Sequence, residues 1–251
     1  MPEGDTLHRI ARTLQTTLAG RKVTRFETVM PKLARVDDQT PIAGRMVERV
    51  RAVGKHLLIE LSGGLELRTH LRMNGSWHIY RAGERWQRPR VDMRIVIATE
   101  EWEAVGFNIP VAEFCRADAP VPVGPDLLAD QIDVNEALQR LRVLASEEIA
   151  EALLNQRAVS GIGNIWKSET LWACRVYPYV KVASIADEKL REIVVTARKL
   201  LRQSVAATSR SRFAVYGRRG QPCRRCGTRI EMRRQGSDAR VTFWCPRCQL
   251  Q

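Results

Sequence analysis

The stretch "CRRCGTRIEMRRQGSDARVTFWCPRC", Cys223 to Cys248, settles how this chain ends, and the rest can be read outward from it. Two C-x2-C pairs, Cys223/Cys226 and Cys245/Cys248, are separated by eighteen residues. That is zinc-ribbon spacing, in which two tight turns each present two thiolates to one tetrahedral ion. Four protein ligands close the coordination shell, so the expected cofactor is one structural Zn2+ and not a catalytic one. The competing readings, disulfides or free thiols, suit a reducing compartment less well. From Gly217 onward there are nine arginines against Glu231 and Asp238, a side-chain excess of +7. Arginine's planar fork suits phosphate. A charge run is commonly only a solvated face, but a metal-pinned ribbon this rich in arginine reads as a nucleic-acid binder.

The whole chain agrees with that. Its 251 residues carry a formal charge of +13, with 44% hydrophobic residues, enough for two cores or one large domain with an appendage. A pI near 10.1 points to a polyanion, either nucleic acid or an anionic membrane surface. No apolar run approaches the roughly 18 to 20 residues that span a bilayer, and the start is too polar for a signal peptide. A soluble, cytoplasmic protein is expected, with no membrane partner.

Upstream of the ribbon the pattern is helical. "DVNEALQRLRVL", "EEIAEALLNQ", "NIWKSETLWAC" and "DEKLREIVVTARKLLRQSV" each read as a helix. Before them, "RADAPVPVGPD" (Arg116 to Asp126) is proline-rich and reads as a linker. Earlier still come alternating β-rich runs, "KVTRFETV", "RMVERVRAVGKHLLIEL", "GLELRTHLRMNGSWHIY" and "DMRIVIAT", with Gly63-Gly64 as a hairpin turn. They suggest an antiparallel sandwich or barrel. At the start, Leu7, Ile10, Ala11, Leu14 and Leu18 form a helical stripe with Asp5 placed to cap it. The expected fold is a multidomain α+β protein: a β-sandwich domain over residues 1–118, a linker at 119–124, a helical domain at 125–215 and the ribbon at 216–251.

Four motifs carry possible chemistry. In "MPEGDT", loss of the initiator methionine leaves Pro2 with a free secondary amine beside the carboxylate of Glu3. An amine attacks carbonyl-type carbons and a carboxylate moves protons, although chain ends are usually frayed and idle. The helix that follows holds these residues near a core. In "NQRAVSGIGNIWKSETLW", paired glycines allow a sharp turn between helices, and the second helix start offers an anion site. Asn164 there either caps the helix or donates its amide to a phosphate. Lys55, after Gly54, is a solvated strand-edge charge or a phosphate clamp. "THLRMNG" sets His70, Arg72 and Met73 at a strand end; a lone methionine is usually core, but in a turn before Asn-Gly it can act as an apolar wedge between bases. His8 and His56 read as structural.

Taken together, these pieces resemble the formamidopyrimidine-DNA glycosylase and endonuclease VIII family. The resemblance is carried by "PEG" at Pro2 to Gly4, "GKHLL" at Gly54 to Leu58, "HLRMNG" at His70 to Gly75 and "VGPDLL" at Val123 to Leu128. "GIGNIWKSE" at Gly161 to Glu169, "VYGRRGQPC" at Val215 to Cys223 and "TFWCPRCQ" at Thr242 to Gln249 complete it. The resemblance implies a β-sandwich, a helical domain with a helix–two-turn–helix, and a zinc ribbon. It further implies Pro2 as the nucleophile, Glu3 as the catalytic acid, and Lys55 as a phosphate contact in the active-site cleft. Asn164 would hold the DNA backbone, Arg240 would grip phosphate beside the lesion, and Met73 would fill the space left by the extruded base.

The chain departs from the family pattern in two places. Asp5 and Thr6 stand where the family has proline and glutamate, so a second carboxylate is missing from its place. "EEWEAVGFNIPVAEF" lacks the Arg-Phe pair that formamidopyrimidine-DNA glycosylases insert opposite the lesion. "PEG" without that pair is closer to endonuclease VIII, which favours oxidised pyrimidines over 8-oxoguanine. The expected reaction is base excision with lyase cleavage through a Schiff base on Pro2 and β,δ-elimination, in a monomer acting on damaged DNA, double-stranded or alternatively single-stranded or bubble. An α-amine with a pKa of roughly 7.7 to 8.0 is partly unprotonated at neutral pH, whereas a lysine at roughly 10.4 is not. The alternatives are a non-catalytic DNA-binding protein of the same fold, an 8-oxoguanine or formamidopyrimidine glycosylase, and a zinc-ribbon accessory or RNA-binding protein.

Overall fold

The computed structural model describes residues 2–207 and 212–250. The chain divides into two compact units, one of Met1–Pro2 with Thr6–Val121 and one of Glu3–Asp5 with Pro122–Gln251. The chain thus passes from one unit to the other three times, between Pro2 and Glu3, between Asp5 and Thr6, and between Val121 and Pro122.

Helix α1 (Gly4–Leu18) belongs to the second unit through Asp5 and to the first from Thr6 onward, where it comes before two four-stranded antiparallel sheets. Leu7, Ala11, Leu14 and Leu18 repeat at helical spacing and are all buried. The helix begins one residue earlier than its sequence suggests. Asp5 therefore lies inside the first turn, and its carboxylate accepts a hydrogen bond from the Ser204 hydroxyl at 2.6 Å. One sheet runs in the order β1 (Arg25–Thr28), β6 (Met93–Ala98), β7 (Trp102–Phe107), β5 (Ser76–Arg81). The other runs β2 (Val47–Val53), β3 (His56–Leu61), β4 (Leu65–His70), β8 (Val111–Arg116). Ile95, Ile97 and Ala104 from the first sheet join Val50, Leu57, Ile59 and Leu67 from the second in one core, with Leu33 of α2 (Pro31–Gln39). Side chains alternate across a strand, so Val96 between Ile95 and Ile97 points the other way, into a small cluster with Tyr80, Val105 and Phe107.

One expectation is corrected here. "EEWEAVGFNIPVAEF" forms two further strands, β7 and β8, one in each sheet. The turn at Asn108, whose φ is 50°, carries the chain between them.

In the second unit, α3 (Val134–Arg142), α5 (Asn164–Ala173) and α6 (Asp187–Ala206) pack around Leu138, Leu141, Leu171, Ile193 and Leu201. Asp133 caps α3 by accepting from the N–H groups of Asn135 and Glu136. "EEIAEALLNQ" supplies only one helical turn, α4 (Ile149–Ala152). The chain then breaks through 153–163 because Ala158, Val159 and Ile162 are needed in the core. The ribbon is a two-stranded antiparallel hairpin of β9 (Glu231–Gln235) and β10 (Arg240–Trp244).

Candidate functional site: a carboxylate on a helix start, and a thiol-pinned ribbon

The first turn of α5 leaves backbone N–H groups without helical partners, and these find the side chain of Glu3. Its carboxylate accepts from Gly163 at 2.9 Å, Ile165 at 2.8 Å and Trp166 at 3.2 Å. Three donors and the positive end of a helix hold negative charge at one fixed point. Glu3 is 1% exposed. The cradle needs glycine at two places. A Cβ on Gly163 would lie 2.3 Å from Glu3 Cδ, and one on Gly4 would lie 2.9 Å from Gly161 Cα. Gly161 has φ of 100°, its carbonyl accepts from Gly4 N–H at 2.9 Å, and its own N–H donates to Gln156. The two glycine-bearing motifs "PEG" and "SGIG" are therefore one structure. Gly163 occupies the cap position of α5, and Asn164 is the first helical residue. Asn164 Oδ1 is buried and makes no hydrogen bond with the described residues, so it is not the cap.

In the first unit the β3–β4 register pairs His56 with His70. That puts the Gly54–Lys55 turn and the Arg72–Asn74 turn at the same end of one sheet. Met73 is 59% exposed in its turn, an unusual place for a large apolar side chain. The His56 and His70 rings meet edge to face at 5.1 Å. Burial, then the charges of His56, Arg72 and Lys55, push His70 down to about 4, so its ring is neutral at physiological pH. Pro2 is half-buried. Met1, whose removal would free the Pro2 nitrogen, lies outside the described residues.

The four cysteines converge. Their sulfurs all lie within 4.8 Å of one another, with Cys226 to Cys245 at 3.4 Å and Cys223 to Cys248 at 4.0 Å. Zn–S bonds of about 2.3 Å in a tetrahedron set sulfurs about 3.8 Å apart, so this donor set fits one zinc ion. Donors surround it. Trp172 Nε1 and Arg225 N–H each reach Cys223 Sγ at 3.4 Å, and hydrogen bonds from Thr228 lower the Cys226 thiol, while burial raises those of Cys245 and Cys248 in the absence of an ion. Thiolates are the form that binds zinc. Cys245→Ser is expected to lose the metal and the fold of the ribbon, because ion binding there is worth on the order of 10 kcal/mol. Metal analysis of purified protein checks this, and a full zinc complement in the variant would overturn it.

Three family profiles cover the chain in order. They describe the formamidopyrimidine-DNA glycosylase N-terminal domain at residues 1–108, that enzyme's H2TH domain at 123–214, and a zinc finger found in FPG and IleRS at 220–250. The chain is 39% identical to a probable endonuclease 8 2 of Streptomyces coelicolor, over 99% of its own length and 94% of the relative's. The chain belongs to the formamidopyrimidine-DNA glycosylase and endonuclease VIII family. Members of that family are bifunctional DNA glycosylases with AP lyase activity. A DNA-(apurinic or apyrimidinic site) lyase of Mycolicibacterium smegmatis is 34% identical over 99% of both chains. The fold matches a crystal structure of Lactococcus lactis formamidopyrimidine-DNA glycosylase on AP-site DNA, with TM-score 0.87 over all of both chains at 20% identity. The zinc ribbon and α+β architecture of the family are thus those of this chain.

Sequence reasoning overlooked two residues of this family's α5. Glu169 is buried, and its carboxylate accepts the N–H groups of Ala214, Val215 and Tyr216 at 2.7 to 2.9 Å, fixing the segment that enters the ribbon. Lys167 is completely buried. The usable signal was a helix of low amphipathicity whose four consecutive polar residues, Lys167 to Thr170, leave no solvent face.

Proposed function

We propose that this chain excises oxidised bases from DNA, pyrimidines above 8-oxoguanine, and cuts the strand through a Schiff base on Pro2. The observation that carries the reading is the seating of Glu3, one residue after the amine, on three N–H groups of a helix start. A loose chain end has no use for a buried carboxylate with three donors. The damaged nucleotide is flipped out of the duplex. The neutral Pro2 nitrogen then bonds to C1′ of the deoxyribose as the bond to the base breaks and the base leaves with a proton. Ring opening gives an iminium, already cationic because the amine is secondary. That electron sink acidifies the C2′ proton. Its removal breaks the C3′–O bond, and a second elimination breaks C5′–O, with Glu3 moving protons. Cys223, Cys226, Cys245 and Cys248 hold the zinc, which supplies structure only.

Lys55, His70, Arg72, Asn164 and Arg240 are assigned to the DNA backbone and Met73 to the vacated space. His70, being neutral, acts through hydrogen bonding and not as a fixed charge. The DNA-bound enzyme of similar fold supports a damaged-DNA partner, and a duplex bound by a monomer is the reading adopted. No described helix is long and apolar enough to cross a membrane, and a cytoplasmic setting suits the substrate. Borohydride trapping on oligonucleotides carrying an abasic site, thymine glycol, 5-hydroxyuracil or 8-oxoguanine tests the reaction and its preference together. Absence of any trapped adduct would leave the non-catalytic DNA-binding reading.

Arg240 opens β10, within reach of Asp238 at 3.4 Å. Arg240→Ala is expected to weaken damaged and undamaged duplex alike and to reduce the salt slope of binding by about one. Titration at several salt concentrations measures both, and an unchanged slope would remove the ribbon from the DNA contact.

A further inference from the structure

Lys167 sits on α5, one turn below the Glu3 cradle, with its N–H donating to the Gly163 carbonyl. Its side chain is fully buried, and its Nζ makes no hydrogen bond with any described residue. An unpaired buried amine is costly, and no step of the reaction above uses it. The charges that act on it come from three other elements. These are Glu151 of α4, Glu3 ahead of α1, and Arg240 of β10. Glu148, Glu147 and Asp238 in turn surround Glu151, whose carboxyl burial pushes upward. The ribbon hairpin is held against this group. Gln235 donates to Glu148 at 2.6 Å and accepts from Thr242 at 2.7 Å, and a Cβ on Gly236 would fall on the Glu151 carboxylate.

We propose that Lys167 is a positioning residue for Glu3 that takes up a proton from solvent when DNA phosphate neutralises Arg240. This rests on the reading of Arg240 as a phosphate contact. Burial, with Arg240 acting in the same direction, brings the Lys167 amine down to about 8. Cancelling the Arg240 charge strengthens proton binding, so the full positive charge appears beneath the carboxylate only in the complex. The reacting site is thereby set electrostatically by occupation of the ribbon, with no movement of the backbone required.

The experiment is calorimetric titration of the zinc-loaded protein with abasic-analogue duplex at pH 8, in buffers of different ionisation enthalpy. A group half charged at that pH becomes about three-quarters charged after a threefold rise in proton affinity, an uptake of about 0.25 proton per complex. The Pro2 amine is a second group that can exchange a proton, so the decisive quantity is the difference between wild type and Lys167→Met, which fills the same space without a charge. A difference of a few tenths of a proton is expected, while equal uptake would overturn the proposal. Glu151→Gln removes the strongest attraction on the amine and is expected to move the uptake to lower pH. An unmoved profile overturns the proposal independently of how Lys167→Met folds. Failure of wild type to bind the duplex would instead refute the DNA reading.

Discussion

Protein that retains Met1 is expected to bind abasic DNA and neither trap nor cut it. With Met1 in place the Pro2 nitrogen is an amide, its lone pair is delocalised into the carbonyl, and it cannot form an iminium. The phosphate contacts assigned to Lys55, Asn164 and Arg240 are untouched, so affinity stays near that of the processed form. Intact mass establishes which form is present, borohydride trapping reads the chemistry, and peptide mapping places the adduct on the Pro2 nitrogen. The expected loss is the whole covalent activity. Excision at an undiminished rate by the Met1-retaining form would make another amine the nucleophile, with Lys55 the first to test.

Gly163→Ala is expected to cost about 10²- to 10⁴-fold in base excision, the usual worth of a positioned proton-transfer group. The added Cβ would meet the Glu3 side chain at 2.3 Å from Cδ and 2.6 Å from Cγ. Gly163 has φ of −128°, which alanine adopts freely, so the backbone need not change. What must move is the carboxylate, out of its cradle. Zinc content and duplex affinity are expected to hold while the single-turnover excision rate falls. Cutting at a ready-made abasic site should suffer less, because no base remains to be expelled. An unchanged excision rate would separate Glu3 from the chemistry.

Local patterns were legible in the sequence wherever the partner lies nearby. The four cysteines announce their own geometry, and the stripe from Leu7 to Leu18 buries the face it implies. The hairpin at Gly63-Gly64 could be read because both glycines take positive φ, 83° and 71°. Distant partners were not legible. Nothing near Gly163 shows that its missing Cβ makes room for a side chain from the other end of the chain. Glu169 looks like any helical glutamate until the N–H groups of 214–216 are placed against it. Asp5 has the composition of a cap, yet the hydroxyl it holds belongs to Ser204. β7 and β8 are harder to see because Gly106, Asn108 and Pro110 interrupt the alternation between Trp102 and Phe114.

The seating of Glu3 also fixes a timetable. Its donors at 163, 165 and 166 are synthesised long after it leaves the ribosome. At roughly 5 to 20 residues per second the interval is on the order of ten seconds, ample for a small side chain to sample solvent and for Met1 to be cleaved. A nascent or prematurely terminated chain holding only the sandwich unit carries the amine but not the seat for its carboxylate. On the roles proposed for Pro2 and Glu3, such fragments would be inert towards DNA chemistry, and the enzyme would become armed only once most of its sequence exists.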